Sequence, residues 1–115
     1  MLNYATFGSN HLEKAKAFYD ELLATAGITR LFEHRSGGRI YGKEGSVVFG
    51  VIAPFDGAPA TVGNGSMIAF HLRTPDEVGA LYRKALELGA KGEGPPGFRG
   101  GSPFFMSYFR DLDGN

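Results

Sequence analysis

The stretch LYRKAL, residues 81–86, repeats the pattern of FYDELL, residues 18–23, at a distance of 63 residues along the chain. The same distance places SMIAF (66–70) over NYATF (3–7). Two matches at one offset are typical of an internal duplication, which is best recognised before single elements are assigned. The sequence therefore predicts two copies of one unit, each with a strand followed by a helix.

The first copy, residues 1–54, is predicted to contain a strand, a helix and three further strands. Asn10 has the residue type of a helix N-cap, with Glu13 completing a capping box. Apolar residues then recur at helical spacing as far as Gly27, which ends the helix. Turn residues separate the runs of β-forming residues that follow. The predicted strands are 2–8, 28–35, 39–44 and 46–54.

The second copy, residues 66–115, follows a connecting loop over 55–65 that carries Pro, Gly and Asn. A strand is predicted over 66–73. The residues TPDE (74–77) have the composition of a helix start, with a Thr cap and Pro at the first helical position. Gly89 ends this helix. Residues 90–102 are predicted to form at most a short irregular strand, and 103–110 a clear one.

One strand of the second copy lies outside the sequence. Asp113-Gly114-Asn115 is typical of a tight hairpin turn, because Gly and Asn tolerate the positive φ that such turns need. The first copy has a strand at the equivalent place. We therefore expect a strand of about 5–10 residues after Asn115. The predicted fold class is α+β, with two βαβββ modules and the last strand of the second missing.

Composition excludes several classes of function. The chain has 115 residues, enough for one core, and its formal net charge is zero, which favours neither nucleic acid nor a membrane surface as partner. It has no cysteine, so thiolate chemistry and disulfides are excluded. No apolar run approaches the length of a membrane span and no signal peptide is evident. We predict a cytoplasmic location.

Three segments in this order resemble the vicinal oxygen chelate superfamily, which includes glyoxalases, bleomycin resistance proteins and extradiol dioxygenases. The segments are LEKAKAFYDELL (12–23), MIAFHLRTPDEVGALYRKALELGA (67–90) and YFRDLDGN (108–115). The resemblance covers nearly the whole chain. It implies paired βαβββ modules whose sheets curl around a cavity, with a further strand after the DGN turn.

The resemblance also implies a divalent metal held by His and Glu, with ligand positions in the first and last strands of each module. The first-strand positions here are Tyr4 and Met67. A neutral phenol and a thioether suit the hard cations involved poorly. We predict no metal site from this triad, and no cofactor is evident. A divalent metal would require a ligand from the strand expected after Asn115.

His71 is the main candidate for catalysis, because strand alternation places it on the face of Met67 and Ala69. An imidazole there would serve as general base or hydrogen-bond donor near neutral pH. The alternative, a structural imidazole bonded to a backbone carbonyl, has equal weight.

Further candidates for ligand binding lie in the second copy. Arg99 belongs to the glycine-rich segment 92–103, which is either a flap that grips an anion or a plain flexible connection. Tyr108 and Arg110 alternate on one strand face and are candidates for the cavity lining. We assign Phe104, Phe105 and Phe109 to the core. The candidate binding residues are thus Tyr4, Met67, Arg99, Tyr108 and Arg110.

Two functions follow from the resemblance. The first is a glyoxalase-like enzyme of the lyase, isomerase or dioxygenase type, acting on a small organic substrate. The alternative is a non-catalytic protein that sequesters a drug, as bleomycin resistance proteins do. The aromatic content, 13% of residues, exceeds the need of one small core and is expected to line the cavity or an interface. We also predict a homodimer, with the first strand and first helix near its axis.

Overall fold

The computed structural model describes residues 1–115, which form two helices and six strands. The first half has the predicted order of one strand, one helix and three strands, and the second half contains a helix and two strands. The chain therefore has the predicted α+β class. The elements are β1 (Ala5–Gly8), α1 (Leu12–Ala24), β2 (Thr29–Glu33), β3 (Arg39–Lys43), β4 (Ser46–Ile52), α2 (Pro75–Glu87), β5 (Lys91–Phe98) and β6 (Phe105–Arg110).

The strands form two separate sheets. The first has the order β1-β4-β3-β2, in which β1 runs parallel to β4 and the other neighbours are antiparallel. The second consists of β5 and β6 in antiparallel pairing. Neither helix is long and apolar enough to cross a lipid bilayer.

One hydrophobic core joins the two halves. The apolar stripe of α1 packs against β3 and β4, and α2 adds its own stripe beside it, as the helical spacing predicts. Lys84 of α2 also pairs with Glu21 of α1 at 3.3 Å. The buried cluster consists of Ala15, Phe18, Tyr19, Leu22, Leu23, Ile28, Tyr41, Phe49, Val51, Leu81 and Ala85.

The strand predicted over 66–73 does not form, and this is the main error in the sequence-based elements. Its side chains still alternate, with Ile68, Phe70 and Leu72 packed against the core. No ladder includes the segment, however. In the first half β1 obtains its ladder from β4, and the second half of this chain has no strand that corresponds to β4. Alternation alone cannot make a strand, because a strand needs a neighbour to receive its backbone hydrogen bonds.

The predicted helix starts differ in their outcome. Thr74 caps α2 as predicted, because its side chain accepts a hydrogen bond from the Glu77 amide. Asn10 does not cap α1, whose N-cap position is His11. The side-chain amide of Asn10 instead donates to the Ala60 carbonyl at 2.9 Å and accepts from the Ala60 backbone N–H at 2.7 Å. Asn10 therefore ties down the connecting loop, which contains no helix or strand.

The glycine-rich segment after α2 is more regular than the sequence predicts. Residues Lys91–Phe98 form β5, which spans eight residues instead of a short irregular strand. Its ladder with β6 shifts register between Gly92 and Gly94 and again between Gly94 and Gly97. The segment is thus a bulged strand rather than a flexible connection. Its partner β6 holds it in place.

Candidate functional site

An apolar groove of about 360 Å³ lies between the first residues of the chain and the segment that opens the second half. Tyr4 and Met67, which the duplication pairs, both line it. Both side chains are accessible, with 49% of Tyr4 and 66% of Met67 exposed. Asn3 is the one polar residue of the lining. The groove is formed by Leu2, Asn3, Tyr4, Ala5, Val48, Met67, Ile68, Ala69 and Phe70.

His71 follows the last groove residue of this segment. The side chain of His71 is exposed and makes no hydrogen bond with the rest of the chain. The structural alternative, an imidazole bonded to a backbone carbonyl, therefore has no partner here. His71 is thus exposed, but it is not one of the residues that line the groove.

The groove does not suit a divalent metal. Its lining contains no His, Cys, Asp or Glu, and no cluster of three such side chains occurs anywhere in residues 1–115. The donors at the superfamily's ligand positions are the phenol of Tyr4 and the thioether of Met67, which match neither the charge nor the hardness that such ions require. No step of a reaction is therefore assigned to a metal.

A second, polar groove of about 230 Å³ contains Arg110. The guanidinium of Arg110 donates to the Gly114 carbonyl at 3.1 Å and to Glu93 at 3.3 Å. These contacts fix the arginine and partly neutralise it. The groove is formed by Thr6, Phe7, Gly8, Thr61, Val62, Gly63, Ser66, Arg110, Gly114 and Asn115.

Arg99 and Tyr108 contact each other on the β5–β6 sheet. The Cζ atom of Arg99 lies 5.3 Å from the centre of the Tyr108 ring, a cation–π arrangement. The same guanidinium donates to the Pro95 carbonyl at 2.5 Å. The structure thus groups the candidate residues as Tyr4 with Met67, Arg99 with Tyr108, and Arg110 in a groove of its own.

Two of the three phenylalanines assigned to the core, Phe104 and Phe105, do not belong to it. Phe109 packs against the core cluster, as predicted. Phe104 precedes β6 and is 63% exposed. Phe105 is half-buried and contacts Phe98 edge to face at 5.2 Å.

A buried hydrogen-bond cluster at the DGN turn was not predicted from the sequence. Asp111, only 7% exposed, accepts from the Tyr19 hydroxyl at 2.5 Å and from the amides of Asp113 and Asn115. Burial raises the pKa of the Tyr19 hydroxyl far above its ordinary value, and the Asp111 carboxylate raises it further. Tyr19 therefore stays protonated and donates. The signal was present in the motif, because an Asp before a tight turn often binds the turn's own amides.

A second cluster joins α1 to β3. Asp20 accepts from the guanidinium of Arg39 and, at 2.8 Å, from the buried hydroxyl of Tyr41. Arg39 also donates to Glu33 at 2.5 Å, and this hydrogen bond lowers the pKa of the Glu33 carboxyl. These groups are satisfied by one another, so the cluster has a structural role.

The family of the chain follows from comparison with known proteins. The model of the glyoxalase/bleomycin resistance protein/dioxygenase superfamily matches residues 1–115. The chain belongs to this superfamily. A comparison with curated proteins finds no match.

Solved structures agree with this assignment. The chain is similar to a glyoxalase/bleomycin resistance protein from Albidiferax ferrireducens, with 37% identity and a TM-score of 0.90, over 100% of this chain and 93% of the other. It also resembles an antibiotic-binding protein from a Streptomyces species, with 26% identity and a TM-score of 0.61, over 100% and 89% of the two chains.

A more distant likeness shows the superfamily's fold alone. The relative is a fosfomycin resistance protein from Listeria monocytogenes, solved with Mn(II) and a dihydroxypropylphosphonic acid. The two share 18% identity and a TM-score of 0.69, over 99% of this chain and 83% of the other.

Proposed function

We propose that this superfamily member is a glyoxalase-like enzyme that acts on a small organic molecule bound at the apolar groove. The reaction is of the lyase, isomerase or dioxygenase type, and His71 serves as its general base or hydrogen-bond donor. The observation that supports this proposal is the exposed imidazole of His71, which makes no hydrogen bond and directly follows the groove-lining residues 67–70 along the chain. A cytoplasmic location is part of the same proposal.

A specific observation also favours the second candidate, a non-catalytic binding protein. The lining of the apolar groove contains one polar residue and no titratable group except the Tyr4 phenol. Such a lining holds an apolar or aromatic molecule by burial, and the Tyr4 phenol is the one acid or base that it contains. The two functions therefore differ in whether His71 is required, because only the enzyme needs it as a general base or hydrogen-bond donor.

Proton exchange is the direct test of the enzyme. We expect wild-type protein in D2O to exchange protons next to the carbonyl of at least one compound in a panel of small ketones and hydroxy acids, measured by proton NMR. His71→Ala should abolish this exchange. It should change the free energy of unfolding by no more than about 0.5 kcal/mol, because the side chain is exposed.

His11→Ala is the matched control, since His11 is also exposed and makes no side-chain cap bond to α1. Exchange should survive in this variant. If no compound exchanges, but 2-naphthol binds and binding weakens in Met67→Ala, the sequestering function is the correct one. Exchange that persists in His71→Ala contradicts the role of His71.

We further propose that the chain forms a homodimer through its first-strand region. Leu2 and Tyr4, which line the apolar groove, are exposed, and natural proteins cover such surfaces. Most apolar side chains of α1, among them Phe18, Leu22 and Leu23, are already buried in the core, so the helix would contribute mainly polar contacts.

Light scattering at micromolar concentration should give the mass of two chains. Tyr4→Glu should shift it to one chain, because a carboxylate would lose its water in the interface. Phe55→Glu, in the exposed connecting loop, should remain dimeric. A monomer mass for wild-type protein, or a dimer broken by Phe55→Glu alone, contradicts the proposal.

A further inference from the structure

Arg99 differs from the other half-buried arginine of the chain in having no acidic partner. Arg39 is held between Asp20 and Glu33. Arg99 is also half-buried, but it takes part in none of the ion pairs of the chain. Its one hydrogen bond, to the Pro95 carbonyl, leaves most of its N–H donors free. Burying part of a charge without a counter-charge costs free energy, so an anion bound to Arg99 would stabilise this arrangement.

The backbone of β5 is shaped around this guanidinium. A Cβ atom on Gly94 would lie 3.2 Å from Nη2 of Arg99 and 3.1 Å from the Tyr108 ring, and one on Gly97 would lie 3.3 Å from Nη1. The ladder shifts register at the same glycines. Glycine inside a strand weakens it and marks a close approach of another group. Here the group that approaches is the Arg99 side chain.

Tyr108 offers a second donor at this place. Its hydroxyl donates to the sulfur of Met106 at 3.1 Å, and a thioether is a weak acceptor. An oxygen anion would compete successfully for that proton. Tyr108 alternates with Phe109, whose side chain packs against the core, so Tyr108 points to the face of the sheet away from α2.

The local charge favours an anion. The β5–β6 hairpin carries Lys91, Arg99 and Arg110 against the single carboxylate of Glu93. Glu93 is already shared by Lys91, at 3.5 Å, and Arg110, at 3.3 Å. No acidic side chain of the hairpin is therefore left to neutralise Arg99.

We propose that Arg99 and Tyr108 form an oxyanion-binding site on the face of the β5–β6 sheet that points away from α2. The site takes a carboxylate or a phosphonate-type group of a small molecule. The Arg99 fork supplies charge and paired donors, and the Tyr108 hydroxyl supplies a third hydrogen bond. The site is distinct from His71 and from the apolar groove, and it does not depend on catalysis.

NMR titration of the protein with benzoate and, separately, with methylphosphonate tests the site. Binding of either probe should weaken more than about tenfold in Arg99→Gln, which removes a charged hydrogen-bond donor. Tyr108→Phe should weaken it by about three- to tenfold. The control Arg35→Gln removes an exposed arginine of the β2–β3 turn and should leave binding unchanged. The tighter probe identifies the class of anion.

Equal binding by wild-type protein and Arg99→Gln overturns the proposal, as does an equal loss in Arg35→Gln, which would indicate general charge attraction. If Arg99→Gln does not fold, Arg99→Lys replaces it, because lysine keeps the charge but lacks the paired N–H donors of the guanidinium. Unchanged binding by both Arg99→Lys and Tyr108→Phe also overturns the proposal. The neutral probe 2-naphthol should bind Arg99→Gln as it binds wild-type protein. Failure of this site is thus distinguishable from failure of the apolar groove.

Discussion

Replacement of Phe49 by alanine is expected to lower the free energy of unfolding by about 3–5 kcal/mol. Phe49 is fully buried in β4, at the centre of an aromatic cluster. Its ring lies 4.8 Å from Tyr19 of α1 and 5.5 Å from Phe70 of the second half, measured between ring centres. Truncation therefore leaves a cavity where the two halves meet. Urea denaturation followed by circular dichroism measures the change.

Phe55→Ala is the control, because this side chain is 97% exposed in the connecting loop and should change stability by less than about 0.5 kcal/mol. A loss below about 1 kcal/mol in Phe49→Ala would contradict the described core. A double-mutant cycle with Phe70→Ala should give a coupling of about 0.5–1.5 kcal/mol, as expected for aromatic pairs in contact. Such coupling would show that the segment 66–73 is anchored although it belongs to no sheet.

Removal of the Asp111 carboxylate should have the next largest effect, a loss of about 3 kcal/mol in Asp111→Ala. The substitution leaves the Tyr19 hydroxyl in the core without its acceptor. It also frees the amides of Asp113 and Asn115, which the carboxylate holds at 3.0 and 2.9 Å. Urea denaturation again provides the measurement.

Tyr19→Phe distinguishes the buried hydrogen bond from the turn. If the unpaired hydroxyl is the main cost, the double variant Asp111→Ala, Tyr19→Phe should lose less stability than the two single changes added together. Asp56→Ala, in the exposed connecting loop, serves as the control. Additive losses would show that Asp111 acts through the turn alone.

The DGN turn connects distant parts of the chain, and two of its residues, Gly114 and Asn115, also line the polar groove. The side-chain amide of Asn115 donates to the Gly8 carbonyl at 3.1 Å. The backbone N–H of Asn10 donates to the Asp113 carboxylate at 3.2 Å. The turn therefore attaches the end of β6 to β1 and to the start of α1. Arg110, immediately before it, is the one candidate binding residue that the turn positions.

The sequence by itself determined the features that depend on residues near one another along the chain. The stripe of α1, the Thr74 cap of α2 and the left-handed Gly27, Gly89 and Gly114 were all predictable. Helix periodicity and turn chemistry act over a few residues, so they appear in any window of the sequence. The three motif segments, in their order along the chain, indicated the superfamily.

Only the tertiary structure decided the features that need a distant partner. Residues 66–73 alternate like a strand but have no neighbouring strand, whereas Lys91–Phe98, rich in Gly and Pro, becomes a strand because β6 pairs with it. The contact of Arg99 with Tyr108 likewise requires the register of that hairpin. The buried carboxylate of Asp111 also has a distant partner, because Tyr19 of the first half donates a hydrogen bond to it. Hydrogen bonds between distant residues depend on the folded arrangement, which no local pattern encodes.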